Sequence, residues 1–367
     1  MNPRVCKFGG SSLADADGFR RVRRIIAADS SRKYIVVSAP GRSATNDEKV
    51  TDLLLRAFRA GENARHAILT HVFERYASIR AALNIDCDLE AEFDKIERMN
   101  APSPAALISR GEYLCAQLFA AYCGMEFVDA RDLIIFGLDG SVDVRATSAA
   151  VTMLKTTSTA VIPGFYGAGP DGEIALFSRG GSDVSGALIA AAFAPCIYEN
   201  WTDVDGLYSA DPQLVPNAHL HPRVGFAQMA ALSACGAQVL HPDSLICLRG
   251  RGVAVELRNS FNPACPGTRI SEAFDHSIVP CAALRRGLCL PANALDSALQ
   301  AEYATNASAT IPVAAISVFG LLPERLPQLM QAINPISCIR RTDHIELHVH
   351  ENACDDALRT VHQILMA

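Results

Sequence analysis

Short apolar segments alternate with helix-period segments through the first 270 residues, and this alternation limits the fold more than any other feature. The segments RVCKF (4–8) and YIVVS (34–38) enclose a helical pattern from about Asp15 to Ala28, and helical patterns fill about 49–122 with a break at 100–106. The later strand-like segments are MEFVD, DLIIF, AVIPGF, GEIALF, CIYENWT and VAVELRN (253–259), with a helix from Asp183. Strands that alternate with helices predict an α/β fold with a mainly parallel sheet.

The pattern changes after NPACPGTRI (262–270), where two prolines and a glycine indicate a boundary. Beyond it, PVAAISVFG (312–320), ISCIRR and HIELHVH read as strands, and PERLPQLMQAI (323–333) and ACDDALRTVHQIL read as helices. This β-α-β-β-α order predicts a small ferredoxin-like α+β module. We therefore expect one domain over 1–272 and a second over 273–367. The span 280–310 has no clear repeat, and HIELHVH is a candidate for edge pairing with a second chain.

Charge and cysteine spacing exclude several classes of protein. The chain of 367 residues has a formal net charge of −6, which argues against nucleic acid or an anionic membrane as its main partner. No N-terminal leader and no run of about 18 apolar residues is visible, so we expect a cytoplasmic protein. The 12 cysteines include no C-x-x-C pair, which predicts reduced, buried thiols. His348 and His350 share one strand face, but without further ligands they predict no metal site.

The stretch KFGGSSL (7–13) follows the first strand and opens the first helix. Its glycines let the backbone approach an anion, the N–H groups at a helix start favour phosphate, and Lys7 adds a positive charge. The structural alternative is a tight strand-to-helix turn. A second glycine pattern, GAGPDG (167–172), contains Pro170 and precedes an apolar strand, so it predicts a hairpin rather than a dinucleotide site.

Two further segments carry polar residues at the ends of predicted strands. In FSRGGSDVSG (177–186), Arg179 and Asp183 bracket a bare glycine backbone ahead of a helix, which suits a charged small molecule. In NWTDVDGLYSADP (200–212), Thr202 and Asp203 end a strand, where ligands of open α/β sheets gather. Tyr208 offers an aromatic face for a base. Turn formation by the Asp-Gly and Asp-Pro pairs is the alternative reading of that segment.

Taken together, these motifs resemble the aspartate kinases of the amino acid kinase family, and the resemblance covers about residues 4–270. The matching stretches occur in family order: KFGGSSL (7–13), VVSAPG with KVTDLL (36–54), SRGEYL (109–114), FSRGGSD (177–183), ENWTDVDGLYSADP (199–212), GAQVLHPDS (236–244) and LRNSFNPACPGTRI (257–270). The Arg-Gly-Gly-Ser-Asp block is the most specific of them, because it separates aspartate kinases from other kinases of this fold.

The resemblance implies a fold and a reaction. The fold is a three-layer sandwich with a mainly parallel sheet, followed by a small C-terminal ACT-like α+β domain. The reaction transfers the γ-phosphate of Mg·ATP to the β-carboxylate of L-aspartate and gives 4-phospho-L-aspartate. ATP and Mg²⁺ are therefore the implied cofactors, ATP and L-aspartate the implied small-molecule partners, and a homodimer through the C-terminal domain the implied assembly.

The resemblance also implies roles for individual residues. As the catalytic pair it implies Lys7 and Asp183. The implied substrate-binding residues are Ser38, Thr51, Glu112, Arg179, Gly180, Gly181 and Ser182. The implied nucleotide-binding residues are Lys7, Gly9, Gly10, Ser11, Thr202, Asp203, Tyr208 and Asp211. Within these sets Arg179 would bind a carboxylate of aspartate through its planar fork, and Glu112 would receive the substrate ammonium.

The chain departs from the family pattern in three places. Gln213 and Gln238 stand where many members have arginine and lysine. Only 97 residues follow Ile270, whereas the family usually has two ACT modules of about 70 residues each. We therefore expect no feedback control by lysine or threonine. Two alternatives remain open: a kinase acting on a different amino acid, and a non-catalytic homologue that binds a ligand and regulates a partner.

Overall fold

The chain forms two compact units, which are Met1–Asp205 with Asp243–Pro266 and Gly206–Pro242 with Gly267–Ala367. The structure is a computed structural model. It describes residues 3–44, 48–99, 102–154, 159–178, 180–237, 239–291 and 310–367. The boundary predicted between residues 272 and 273 falls inside the second unit; as the limit of the catalytic domain it stays a prediction.

The helices and strands follow the predicted alternation. The helices are α1 (Ala16–Ala27), α2 (Val50–Arg59), α3 (Glu62–Leu83), α4 (Leu89–Glu97), α5 (Pro104–Ile108), α6 (Arg110–Cys123), α7 (Val144–Met153), α8 (Gly181–Ala192), α9 (Phe226–Ala234), α10 (Pro242–Leu248), α11 (Leu326–Ile333) and α12 (Cys354–Met366). The strands are β1 (Arg4–Phe8), β2 (Arg32–Val37), β3 (Glu126–Phe127), β4 (Ala160–Pro163), β5 (Tyr166–Ala168), β6 (Ile174–Leu176), β7 (Ile197–Thr202), β8 (Arg223–Val224), β9 (Ala254–Asn259), β10 (Thr268–Ile270), β11 (Cys281–Pro291), β12 (Thr310–Phe319), β13 (Ser337–Arg340) and β14 (His344–His350).

A parallel sheet with the strand order β3-β4-β2-β1-β7-β9 runs through the first unit. In β1, Cys6 pairs with Ile35 of β2 on one side and with Glu199 of β7 on the other. Residues 5–8 of β1 and 34–37 of β2 are all buried. Strands that are covered on both faces read as continuous apolar runs, and this explains why RVCKF and YIVVS were recognisable in the sequence.

Helices cover both faces of this sheet. Side chains alternate across a strand, so Cys6 and Phe8 point to one face, where they join the core formed with α1, α2, α3 and α6. Tyr34 points to the other face and stacks on Phe193 at the end of α8, with ring centroids 4.0 Å apart. Gly186 of α8 lies so close to this face that a Cβ there would be 2.7 Å from the Tyr198 ring. The first unit is therefore the predicted three-layer sandwich.

Local predictions in the first unit have mixed outcomes. Helix α1 begins as expected, because the Asp15 carboxylate accepts the N–H of Gly18 at 2.8 Å. The GAGPDG hairpin is confirmed, since β5 and β6 pair antiparallel around it. The strand predicted at DLIIF is wrong. The Asp129 carboxylate accepts the Arg131 N–H and caps a 3-10 turn over Ala130–Asp132, just before the apolar run, and Ile135 and Phe136 form isolated bridges.

The second unit contains a four-stranded antiparallel sheet with the order β11-β12-β14-β13, together with α11 and α12. The predicted β-α-β-β-α order is confirmed, and the sheet fits an ACT-like module. Ile316, Leu347 and Leu358 lie in its core, which also includes Ala210 and Val215 from the earlier segment of the chain.

Two C-terminal expectations need correction. The segment Cys281–Pro291 had no assigned structure in the sequence, but it forms β11 and pairs with β12 in the same sheet. The expectation that HIELHVH pairs edge to edge with a second chain is wrong, because β14 is bonded to β12 on one side and to β13 on the other. His348 hydrogen-bonds the Ser337 hydroxyl at 2.7 Å and lies 3.0 Å from the Glu346 carboxylate.

Two further properties of the chain bear on its chemistry. All 12 cysteines are free thiols, and burial raises the pKa of Cys115 and of Cys281. Among the helices in the described part of the chain, none is both long and apolar enough to cross a membrane.

Candidate active site

The carboxyl ends of four neighbouring strands converge at one edge of the first unit's sheet. Parallel pairing joins β1 to β2, β1 to β7 and β2 to β4, so all four strands end on the same side. The residues that follow them are Gly9 with Gly10 after β1, Ser38 after β2, Gly164 after β4 and Asp203 after β7. Ligands of open parallel sheets bind at this edge, and several predicted site residues therefore lie together.

Lys7 is a buried cation on the sheet face that α8 covers. Its side chain has 9% exposure, and its Nζ atom lies 2.6 Å from Oδ1 of Asp183 in the first turn of α8. Asn200 is directly opposite Lys7 in β7 and donates to the same carboxylate oxygen at 3.0 Å. The Tyr198 hydroxyl donates to the Asp183 carbonyl oxygen at 3.1 Å. The sequence-predicted catalytic pair is thus in contact, and two strand residues fix its position.

The loop after β1 approaches the loop after β2 so closely that both need glycine. A Cβ on Gly10 would lie 2.7 Å from the Ala39 carbonyl oxygen, and a Cβ on Gly41 would lie 2.6 Å from the Gly10 carbonyl carbon. The Gly41 N–H donates to the Gly10 carbonyl oxygen at 2.8 Å. The Gly9 N–H donates to the Trp201 carbonyl oxygen at 3.1 Å. The Gly9 position adjoins the Lys7 ammonium, because a Cβ there would lie 3.6 Å from Nζ.

Helix α8 begins at this edge with its N-terminus at the Lys7 pair. Gly180 has a φ of +60° and caps the helix in the left-handed region that favours glycine. Gly164 lets the first turn come close, because a Cβ there would lie 2.7 Å from the Cβ of Ser182. The unsatisfied N–H groups and the dipole at a helix N-terminus favour a negatively charged group. Gly180, Gly181 and Ser182 are therefore near Lys7, as the sequence suggested.

Glu112 is a buried carboxyl group near the N-terminus of α6. It is 3% exposed, and its Oε2 atom has no hydrogen-bond partner among the described residues. Burial raises the pKa of Glu112 to about 8, although the backbone N–H of Ala39 donates to the carboxylate and opposes the shift. A buried carboxyl group with one oxygen unpartnered among the described residues can gain strongly from a cationic ligand.

The two predicted hydroxyl contacts lie on either side of the connection between β2 and α2. Ser38 is half-buried, and its N–H donates to the Phe8 carbonyl oxygen at 3.1 Å. Thr51 is half-buried in the first turn of α2. Ala39, which donates to Glu112, directly follows Ser38 in the chain. The connection therefore joins Ser38 to the carboxyl group predicted to bind the substrate ammonium.

The remaining predicted site residues are not all part of this cluster. Arg179 and Gln238 lie outside the described residues. Thr202 and Asp203 follow β7, where the Thr202 hydroxyl accepts the N–H of Val204 at 3.3 Å and Asp203 is exposed. Ser11 is half-buried in the 3-10 turn Gly10–Leu13. Tyr208 and Asp211 belong to the second unit; Tyr208 bridges to Leu220, and the Asp211 carboxylate accepts the N–H of Gln213 at 2.9 Å.

Sequence reasoning did not identify Asn200 and Gly41. Asn200 is fully buried, and its Oδ1 atom has no hydrogen-bond partner in the described part of the chain. Two adjacent polar residues, Glu199 and Asn200, between Tyr198 and Trp201 in a buried strand were the pattern that could have revealed it. No group of three or more histidine, cysteine, aspartate or glutamate side chains within the described ranges is placed to hold a metal ion.

Comparison with known proteins identifies the family. The family model described as "Amino acid kinase family" matches residues 2–259. This chain belongs to the amino acid kinase family. The sheet edge with Lys7, the glycine loops and the start of α8 lies within the matched region.

Relatives of this family member include several aspartokinases. It is 32% identical to aspartokinase 3 of Bacillus subtilis over 299 residues, covering 76% of this chain and 65% of that protein. It is 30% identical to an aspartokinase of Chlamydia trachomatis over 295 residues, covering 75% of this chain and 66% of that one. The chain thus spans slightly less than two thirds of the length of both relatives.

Solved structures agree with the fold. The crystal structure of Clostridium acetobutylicum aspartate kinase superposes with a TM-score of 0.84 at 26% identity, covering 99% of this chain and all of that one. The crystal structure of Escherichia coli aspartokinase III in complex with aspartate and ADP superposes with a TM-score of 0.82 at 20% identity, with both chains fully covered. The three-layer sandwich and the C-terminal antiparallel module thus both superpose on the Clostridium acetobutylicum structure.

Proposed function

We propose that this protein is an aspartate kinase that transfers the γ-phosphate of ATP to the β-carboxylate of L-aspartate and forms 4-phospho-L-aspartate. The buried Lys7–Asp183 pair is the observation that carries the proposal, because it lies between two glycine loops and a helix N-terminus, at a position suited to phosphate. Relatives at 32% and 30% identity are named aspartokinases. The product would enter the biosynthesis of amino acids derived from aspartate, as lysine and threonine are.

The phosphoryl group would be held by Lys7, by the backbone of Gly9, Gly10 and Ser11, and by the first turn of α8. In the transfer, a β-carboxylate oxygen of aspartate forms a bond to the γ-phosphorus while the bond from that phosphorus to the bridging oxygen breaks, and ADP leaves with the electron pair. The protein's contribution is to align the two reactants and to neutralise negative charge. Lys7 performs the second task because its ammonium is buried and already oriented by Asp183.

Mg²⁺ fits this site as an ion held mostly by the nucleotide. Mg²⁺ commonly binds one or two carboxylates together with substrate phosphates, and Asp183 supplies a carboxylate at the position proposed for the γ-phosphate. When bound, the ion would withdraw charge from the phosphate oxygens. Asn200 and Lys7 would keep the Asp183 carboxylate oriented.

The amino acid would be recognised by groups of opposite charge. The substrate ammonium would pair with Glu112, whose Oε2 atom has no partner among the described residues. Arg179 would bind a carboxylate of the substrate, and its planar fork suits a bidentate contact. Ser38 and Thr51 would add hydroxyl contacts, and the backbone of Gly180, Gly181 and Ser182 would lie between the aspartate and the γ-phosphate. This arrangement matches a zwitterion that carries an additional carboxylate.

The rest of the proposal concerns the nucleotide, the assembly and the setting. Thr202, Asp203, Tyr208 and Asp211 would bind the nucleoside part of ATP. We propose a homodimer through the C-terminal domain, without feedback control by lysine or threonine. Twelve free thiols are consistent with a reducing compartment, and we propose the cytoplasm.

The test is ADP release measured with ATP, Mg²⁺ and each proteinogenic amino acid in turn, with hydroxylamine present to trap an acyl phosphate. The proposal expects ADP release and hydroxamate formation with L-aspartate. Activity with a different amino acid alone would reassign the substrate. Absence of ADP release with every amino acid, from protein that still binds ATP, would refute kinase activity.

A further inference from the structure

Arg75 of α3 is a buried guanidinium that binds the backbone rather than an acidic side chain. It is 4% exposed, and both of its hydrogen-bond partners in the described part of the chain are carbonyl oxygens. Its Nη1 atom donates to the Glu48 carbonyl oxygen at 2.6 Å, and its Nη2 atom donates to the Gly41 carbonyl oxygen. Its Nε atom has no partner among the described residues. The buried Arg75 guanidinium thus holds the backbone at two positions, Gly41 and Glu48, of one connecting segment.

That segment connects β2 to α2. It contacts Glu112, which is proposed to bind the amino acid, and Gly10, which is proposed to bind the nucleotide phosphates. Its first residue is Ser38, and Thr51 lies just beyond its end in α2. Next along the segment, Ala39 donates to the Glu112 carboxylate. Farther on, the Gly41 N–H donates to the Gly10 carbonyl oxygen at 2.8 Å. Arg75 therefore fixes the backbone that presents the amino-acid-binding groups.

The neighbouring residue on α3 makes a parallel contact to the other wall of the site. Tyr76 is fully buried, and its hydroxyl donates to the carbonyl oxygen of Gly111 at 2.6 Å, one residue before Glu112. Gly111 packs against the connection, since a Cβ there would lie 3.0 Å from the Cβ of Ala39. Two consecutive side chains of one helix thus set the spacing between the Ser38 connection and Glu112.

Packing alone does not account for an arginine at this position. Burial lowers the pKa of Arg75, because desolvation disfavours the charged guanidinium. An apolar side chain of similar length would avoid this cost, but it could not donate hydrogen bonds to two carbonyl groups. The planar fork is the property that the position uses, and lysine lacks it.

We propose that Arg75 is a positioning residue for amino-acid binding. By holding the Gly41 and Glu48 carbonyl groups, it orients the segment with Ser38, Thr51 and the Ala39–Glu112 contact. The inference rests on the proposed function for its kinetic consequence, because it assigns Arg75 to the aspartate side of the site. The proposed phosphate-binding loop at Gly9 and Gly10 depends less on Arg75, because the Gly9 N–H also donates a hydrogen bond to the Trp201 carbonyl oxygen in β7.

The test compares Arg75→Lys and Arg75→Met with Ile79→Ala. Ile79 lies one turn further along α3, is 3% exposed and packs in the same core, so its truncation destabilises the helix without removing a hydrogen bond to the connection. We expect the KM for L-aspartate to rise about tenfold or more in Arg75→Met, with the KM for ATP changed by about twofold at most. Arg75→Lys should give a smaller rise than Arg75→Met, because the lysine ammonium can still donate to one of the two carbonyl groups, although it cannot reach both as the planar fork does.

A second measurement does not depend on the reaction. Hydrogen exchange of peptides covering residues 38–44 should accelerate about tenfold in Arg75→Met relative to the wild-type chain, while peptides from β4 keep their rates. Ile79→Ala should not produce this local pattern. Equal rises of both KM values, or the same kinetic change in Ile79→Ala, would overturn the positioning role. If the wild-type chain does not phosphorylate aspartate, the proposed function fails, and the exchange data alone still decide whether Arg75 holds the connection.

Discussion

Replacing Glu112 by glutamine should remove a pH dependence from the stability of the unliganded protein. Burial raises the pKa of this carboxyl from 4.5 to about 8, so the folded protein retains a proton that the unfolded chain loses at lower pH. Because the unfolded state binds fewer protons in this window, stability falls as the pH rises from about 4.5 to about 8. Between about pH 6 and about pH 8, this one group should lower the free energy of unfolding by about 2 kcal/mol.

The assay is denaturant unfolding of the wild-type chain and of Glu112→Gln at both pH values. Glutamine cannot ionise, so the difference in unfolding free energy between the two proteins should shift by about 2 kcal/mol in favour of the variant at the higher pH. Glu126→Gln, at an exposed glutamate, is the matched control and should show no such shift. Added L-aspartate should stabilise the wild-type chain more than Glu112→Gln at high pH. Parallel pH curves for the wild-type chain and Glu112→Gln would refute the assignment of a buried, proton-retaining carboxyl.

Three further predictions concern the catalytic lysine and the C-terminal region. Lys7→Ala should lower turnover by about 10²–10³-fold, equivalent to about 3–4 kcal/mol of barrier, with aspartate binding nearly unchanged. A loss of turnover of less than about tenfold, or an equal loss in the exposed control Lys33→Ala, would show that Lys7 does not stabilise the phosphoryl group. Millimolar lysine or threonine should change neither activity nor melting temperature, because the described residues after Ile270 contribute one four-stranded antiparallel sheet. Clear inhibition would contradict this. Ending the chain after Ile270 should lower the melting temperature, because Ala210 and Val215 lose the core in which they pack. It should also convert a dimer to a monomer in sedimentation, and an unchanged dimer would disprove assembly through the C-terminal domain.

The sequence allowed the fold to be predicted where burial produces a simple pattern. Continuous apolar runs such as 4–8 identified the central parallel strands, because those strands are covered on both faces. The four-residue apolar run in DLIIF was misread, because buried residues that follow a 3-10 turn (Ala130–Asp132) give the same short pattern as a strand. The position of β14 inside its sheet could not be read from the chain either, because sheet order depends on contacts between distant segments, and β11 lies in a span without a recognisable pattern.

The sequence motifs pointed to residues that the structure brings together at the sheet edge, but not to the residues that support them. Lys7, Gly10 and Asp183 occur in glycine-rich motifs at strand and helix ends, where the local chemistry is visible in the sequence. Asn200 and Arg75 act through contacts with residues far away in the chain, and nothing in their own neighbourhood indicates which atoms they meet. Such supporting residues become visible only once the tertiary structure brings their partners together.

Aspartate kinase activity that depends on Lys7 is tested by incubating ATP, Mg²⁺, L-aspartate and hydroxylamine with the wild-type chain or with Lys7→Ala. The aspartyl β-hydroxamate formed by each protein is then measured by mass spectrometry. We expect the wild-type chain to form hydroxamate at the β-carboxylate of aspartate in an ATP-dependent reaction. A folded Lys7→Ala protein should give a signal at least about a hundredfold lower. Wild-type protein that binds ATP but yields no aspartyl hydroxamate, or equal yields from the two proteins, would contradict this expectation.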